Sequence, residues 1–205
     1  MATNDIKLAR EQTHDFVLRP PSAQDGAQVW RLIGACKPLD ENSLYCNLLQ
    51  CDHFSDTCVA AERTEDGALI GWISAYLVPD EPDTLFVWQV AVHRDAQGTG
   101  LGKKLLAELL ERDACANVAR LKTTITADNK ASWGLFSSFA RSRGGALSHE
   151  PHFRSDAHFD GKHETEHMVT IDFADTAQAE TGDAWRASRE TARPAAAATP
   201  DTTRT

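Results

Sequence analysis

Residues 84–102 read TLFVWQVAVHRDAQGTGLG, and this stretch decides the architecture. Thr84–Val92 is apolar almost throughout, which predicts a central strand buried on both faces. His93-Arg94-Asp95-Ala96 breaks the run. Gln97-Gly98-Thr99-Gly100-Leu101-Gly102 then turns the chain into a helix striped by Leu101, Leu105, Leu106, Leu109 and Leu110. Glycines between a strand and a helix let the backbone approach an anion closely, and the first N–H groups of the helix point at it. The expected ligand is a phosphate or pyrophosphate. The P-loop pattern fails, because Gly98–Lys103 gives no GxxxxGK run followed by Ser or Thr. The dinucleotide fingerprint belongs to the first strand of a βαβ unit, whereas this turn lies mid-chain.

Working outward, Phe16–Arg19 predicts a short strand ended by Pro20-Pro21. Ser22 is placed to cap a helix with Val29, Trp30, Leu32 and Ile33 on one side. Asp40–Gln50 predicts a second helix, with Leu44, Leu48 and Leu49 at helical spacing. Thr57–Glu62 and Ala68–Leu77 are β-rich runs split by Glu65-Asp66-Gly67, a hairpin signal. Downstream, Leu121–Thr126 predicts a strand, Asn129–Phe139 a helix and Met168–Phe173 a closing strand. This alternation predicts an α/β or mixed sheet with helices on both faces.

The 205 residues suffice for one domain with a real core, or for two very small ones. Residues 1–15 are polar and aperiodic and read as a flexible leader. Residues 174–205 hold 10 Ala and 7 Thr with Trp185 as the one large apolar side chain, so they read as a disordered tail. The folded unit is 16–173. Lys plus Arg is 21 and Asp plus Glu is 30, a net charge of −9, which argues against a nucleic-acid partner. No stretch approaches the roughly 20 apolar residues of a membrane helix, so no membrane partner is expected. The N-terminus lacks the apolar core of a secretory signal. A cytoplasmic location is expected.

Five cysteines, Cys36, Cys46, Cys51, Cys58 and Cys115, form no CxxC pair and read as reduced thiols. Cys46, Cys51 and His53 lie close in sequence, and five of the eight histidines fall in 149–167. Neither set has a common zinc spacing, so no metal is expected.

A third template, Gln/Arg-x-x-Gly-x-Gly/Ala, fits Gln97, Gly100 and Gly102 in register. Here the chain resembles the GCN5-related acetyltransferases, the GNAT superfamily. The resemblance implies the acyl-CoA N-acyltransferase fold, a mixed, mostly antiparallel central sheet flanked by helices. It implies that the loop, with Gly98, holds the pyrophosphate of coenzyme A. It also implies that Val90 and Val92 offer backbone groups to the pantetheine and the thioester carbonyl. GNAT enzymes often carry N-x-x-A-x-x-L-Y further on. Asn129 matches the Asn, Ser132 replaces the Ala, and Phe136 falls where the Tyr would stand. Phe cannot donate the proton that this Tyr gives the leaving thiolate.

Further strings narrow the resemblance: RPPSAQDGAQVWRLI (19–33), LDENSLYCNLL (39–49), HFSDTCVAAE (53–62), PDTLFVWQVAVH (82–93), TTITADNKAS (123–132) and His163-Glu164. Together they are similar to the L-2,4-diaminobutyric acid acetyltransferases of ectoine synthesis, over about Val17–Phe173. That family implies acetyl-CoA as donor, the 4-amino group of L-2,4-diaminobutyrate as acceptor, and a homodimer. The glycine loop alone would equally serve an acetyltransferase for another small amine or a peptide N-terminus, or an acyl-CoA sensor without turnover.

The acceptor carries two ammonium groups and one carboxylate, so its site needs hydrogen-bond acceptors, a donor and a base. Asp40 and Glu41 are the candidates to hold ammonium groups, with Tyr45 on the following turn. Trp88 is placed to pack against a cation or narrow the pocket. His163 and Glu164 are candidates for carboxylate binding or proton relay. An alkyl ammonium titrates near 10, so only roughly one part in a thousand is neutral at pH 7. Glu41, Asp40 and His163, in that order, are the expected bases for a direct attack with both substrates bound.

Overall fold

The computed structural model describes residues 15–37 and 39–173. The expected leader (Asp15 apart) and the whole expected tail lie outside the described residues, as does Pro38. The elements in order are β1 (Phe16–Arg19), α1 (Gly26–Ala35), α2 (Leu44–His53), β2 (Cys58–Arg63), β3 (Leu69–Val78), β4 (Glu81–Val92), α3 (Leu101–Leu110), β5 (Arg120–Thr126), α4 (Lys130–Ser142), β6 (Ala146–Phe153), a one-turn α5 (Ser155–His158) and β7 (Glu166–Asp172).

The strands make one mixed sheet in the order β1-β2-β3-β4-β5-β7-β6. Every neighbouring pair is antiparallel except β4 and β5, which the α3 crossover makes parallel. Two cores cover its faces. On one, Leu101, Leu105, Leu106 and Leu109 of α3 and Phe136 and Phe139 of α4 pack on β2–β5 and β7. On the other, Val29, Leu32 and Ile33 of α1 and Cys51 of α2 pack on Trp72 and Ala91. The strip of α3 leucines is the one legible in the sequence.

The structure departs from the sequence expectation at α2, at Trp30 and at the outer edge of the sheet. The second helix starts at Leu44, not Asp40: Ser43 is its N-cap and accepts a hydrogen bond from Cys46 N–H at 3.1 Å. Asp40–Asn42 are therefore irregular backbone. The buried face of α2 is Asn47, Gln50 and Cys51, while Leu44 stays 40% exposed. Trp30 is likewise on the exposed side of α1. Strand β6 was not expected at all. Its sequence, ALSHEPHF, is polar and contains Pro151, which an outermost strand tolerates because its free edge needs no N–H donor.

Candidate active site

β4 pairs with β5 only over Thr84–Phe86 against Arg120–Lys122. Beyond Phe86 the ladder stops and the two strands part. A cavity of about 540 Å³ fills the gap, lined by Val87–Val90 on one side and Thr123–Thr126 on the other. His93 N–H donates to Ile70 C=O at 2.9 Å, on the β3 side. Backbone groups alternate along a strand, so those of Val92 and Val90 face away from β3, and Val90 lines the gap. The Val92 carbonyl, outside the cavity lining, accepts from Gln97 Nε2 at 3.1 Å and from Cys36 Sγ at 3.4 Å.

The turn after β4 has the form its sequence suggested. Gly98 and Gly100 lie at φ 77° and 81°, the left-handed region that glycine enters at no steric cost. A side-chain Cβ at either would meet nothing within 4 Å, so the space over the loop is open. Gly100 is the N-cap of α3 and supplies no side-chain cap, which leaves the first N–H groups of the helix available. That is the arrangement an anion requires. Gly102 differs: its Cα faces Leu135 on α4, at 3.2 Å for a built Cβ, so it serves close helix–helix packing. Gln97 closes the turn onto Val92 rather than reaching across the loop.

On the β5 side, Asn129 caps α4 by accepting from Ser132 N–H at 3.1 Å. Trp133 Nε1 donates to Thr126 C=O at 3.0 Å and fixes the strand-to-helix turn. Asn129, Ser132 and Phe136 all line the cavity. Phe136 is 3% exposed and presents only a ring edge or face to it.

The remaining wall is charged. Asp40, Glu164, Glu166, Lys162 and His163 all border the cavity. His163 Nδ1 lies 2.8 Å from the Glu164 carbonyl, an acceptor, so the proton of the neutral ring sits on Nδ1. Nε2 is then free to accept a proton, and it faces Asp40 Oδ2 at 3.8 Å. Burial holds the Glu166 carboxyl above the ordinary glutamate range, and the nearby His163 pulls it part of the way back. Its Oε2 is buried with no hydrogen-bond partner. Sequence reasoning missed Glu166. The available signal was the spacing of Glu164 and Glu166, two residues apart at the start of a strand.

Trp88 borders the cavity at 47% exposure, with its ring edge-on to Tyr76 at 6.5 Å. Glu41 does not line the cavity: its carboxylate pairs with Lys37, four residues before it in the loop between α1 and α2. Tyr45, 69% exposed on α2, also stands outside the lining. The thiols offer no nucleophile, since burial pushes Cys51 and Cys58 up to about 12. Among the described residues, no cluster of three His, Cys, Asp or Glu is arranged to hold a metal.

The profile of the acetyltransferase (GNAT) family matches residues 27–140. The L-2,4-diaminobutyric acid acetyltransferase of Methylotuvimicrobium alcaliphilum is 47% identical over 156 residues, 76% of this chain and 90% of that protein. Its counterpart from Bordetella parapertussis is 46% identical over 168 residues, 82% of this chain and 90% of that one. The diaminobutyrate acetyltransferase EctA of Paenibacillus lautus was solved in complex with L-2,4-diaminobutyric acid and coenzyme A. It superposes with a TM-score of 0.74 at 38% identity, over 80% of this chain and 99% of that one.

Proposed function

The chain belongs to the L-2,4-diaminobutyric acid acetyltransferases within the acetyltransferase (GNAT) family, and on that premise we propose how its cavity carries the reaction. The reaction is transfer of the acetyl group of acetyl-CoA to L-2,4-diaminobutyrate. The acceptor nitrogen is the 4-amino group, and the product feeds ectoine synthesis. One observation carries the assignment of roles: the gap between β4 and β5 is bordered by Asp40, Glu164 and Glu166 and by Lys162. Two ammonium groups match the carboxylates, and one carboxylate matches the lysine. The open glycine turn and the uncapped start of α3 suit the pyrophosphate of coenzyme A. The amide of Asn129 and the backbone of Val90 and Val92 suit the pantetheine arm and thioester.

With both substrates bound, the acceptor ammonium gives one proton to His163 Nε2 or to the Glu166 carboxylate. A glutamate already displaced upward by burial is the better matched of ordinary carboxylates to take it. The neutral nitrogen attacks the thioester carbon and a C–N bond forms. The carbonyl oxygen takes up the electron pair and is met by β4 backbone N–H groups. The C–S bond then breaks, the nitrogen loses its second proton as the amide forms, and the leaving sulfur accepts a proton. Phe136 cannot supply that proton. A thiolate is a stable leaving group by itself, with an ordinary pKa of about 8.5, so the second amine proton suffices.

The test is thiol release from acetyl-CoA by purified protein with L-2,4-diaminobutyrate, L-ornithine, L-lysine, spermidine and a short peptide, and product regiochemistry by NMR. The expected result is fastest turnover with diaminobutyrate and acetylation on N4. Preference for another acceptor, or an N2 product, overturns the reading. A homodimer and a cytoplasmic location belong to the same reading. The exposed Leu44, Tyr45 and Phe54 supply apolar surface for a partner, and light scattering after gel filtration tests it.

A further inference from the structure

Gln89 is a polar residue in the apolar middle of β4, and a β-bulge determines where it points. Ser74 pairs with Gln89 and Ala75 with Val87, so Trp88 is the extra residue of β4. Leu85 and Val87 face the core under α3, and past the bulge Val90 and Val92 face that same core. Ala91 faces the α1 side. The inserted Trp88 thus reverses the in-out alternation and sends Gln89 to the α1 side of the sheet. There it is 7% exposed and both ends of its amide are engaged. Nε2 donates to the Asp40 carbonyl at 2.8 Å, and Oε1 accepts from Asn42 Nδ2 at 2.9 Å.

The segment it grips has no helix or strand of its own. That segment carries the Asp40 carboxylate, 86% exposed, to the cavity rim opposite His163. An exposed carboxylate on irregular backbone holds a fixed position only if its backbone is anchored, and a buried amide in a rigid strand is such an anchor. We infer that Gln89 is a positioning residue for the acceptor: it holds the Asp40–Asn42 segment over the cavity and leaves the substrate contacts to others. The inference rests on the reading that the cavity takes the acceptor amine.

The test is Gln89→Met, which keeps the volume and removes both bonds, beside Gln89→Glu, which keeps only the acceptor toward Asn42. Two ordinary hydrogen bonds predict a rise of about 10- to 30-fold in KM for diaminobutyrate with Gln89→Met. KM for acetyl-CoA stays within about twofold, because nothing at the glycine turn depends on this amide. Gln89→Glu turns a carboxylate oxygen toward the Asp40 carbonyl, two acceptors face to face, and raises the acceptor KM at least as much as Gln89→Met; an unchanged KM overturns the inference. Amide hydrogen exchange at Asp40–Ser43 speeds up in Gln89→Met, while β4 and β5 exchange as before. A merely structural role would instead lower thermal stability and shift both KM values together, and that result overturns the inference. So does an unchanged KM for the acceptor, or unchanged exchange in the segment. If Gln89→Met does not fold, Asn42→Ala removes one of the two bonds from the loop side. It raises the acceptor KM by about threefold or more, and no change there overturns the inference. Should the wild-type protein prefer a different amine, the acceptor assignment falls, and the exchange measurement still decides the role of Gln89.

Discussion

Replacing Gly100 with Ala puts a Cβ on a residue whose φ is 81°. An L side chain in that left-handed region costs about 1–2 kcal/mol. No steric cost adds to this, because nothing lies within 4 Å of the new carbon. For a domain of this size, a loss of that order lowers Tm by about 2–8 °C. The strain has an outlet: the turn relaxes toward negative φ, and the first N–H groups of α3 swing away from the open space above Gly98. If they hold phosphate, one charge-assisted hydrogen bond is worth about 1.5–3 kcal/mol, or about 10- to 100-fold in KM for acetyl-CoA. Gly102→Ala is the control. Gly102 is helical, so Ala gains up to about 1 kcal/mol of helix propensity. Against that, its Cβ comes within 3.2 Å of Leu135, a flexible side chain that must give way slightly. The two effects oppose each other, and the backbone N–H is kept. Stability then stays within about 1 kcal/mol of wild type, and KM for acetyl-CoA is unchanged. Thermal unfolding by circular dichroism and thiol-release kinetics at saturating diaminobutyrate read both quantities. The reasoning is refuted if Gly100→Ala matches wild type in both, or if Gly102→Ala raises the acetyl-CoA KM as much as Gly100→Ala does.

Three more predictions concern the carboxylates. Glu166→Gln lowers kcat by about 100-fold or more near neutral pH if Glu166 takes the ammonium proton, and removes the acid limb of the pH–rate profile. The same change raises Tm at pH 7. A glutamate whose folded pKa is raised contributes stability below its ordinary value and loses it as pH rises through the folded one, so the Gln variant escapes that loss. A lower Tm at pH 7 contradicts the assignment. Asp40→Asn raises KM for diaminobutyrate by about 10-fold or more through the lost ammonium pairing, with acetyl-CoA affinity unchanged by calorimetry. Asp25→Asn affects folding alone. The Asp25 carboxylate accepts from both Arg19 Nη atoms, at 2.8 and 2.7 Å, and from Ser22 N–H at 2.7 Å. Urea unfolding at pH 7 should show a loss of about 1–3 kcal/mol with kcat unaltered. The Arg19 hydrogen bonds hold the Asp25 pKa below the ordinary range, so this stability is present above that range and is lost as pH falls through the folded pKa. The gap between wild type and variant therefore narrows in acid.

Much of the fold was legible locally. The apolar run at Thr84–Val92, the leucine stripe of α3 and the glycines at 98 and 100 each report a local constraint: burial on both faces, one apolar helix face, positive φ. Such constraints act on neighbours in sequence, so the chain declares them. Asn129 could be placed for the same reason, because a cap binds an N–H three residues on. The buried face of α2 was not legible, because leucine spacing says which residues share a side, not which side the sheet will cover.

The charged wall of the cavity belongs to the other category. Asp40 was named from the sequence, but its meeting with His163 joins positions 123 residues apart across the sheet. The withdrawal of Glu41 into a pair with Lys37 depends on where α1 ends. Glu166 owes its displaced pKa to burial beside the gap, and the gap exists only because β4 and β5 pair for three residues and then part. The direction of Gln89 follows from one inserted residue, visible only against the register of β3. The sequence by itself determined which strand, turn and helix form an open glycine turn at an uncapped helix start, since those depend on backbone geometry over a few residues. Which carboxylates line the cavity was decided by the tertiary structure, because register and strand separation are properties of pairs of strands that no single segment contains.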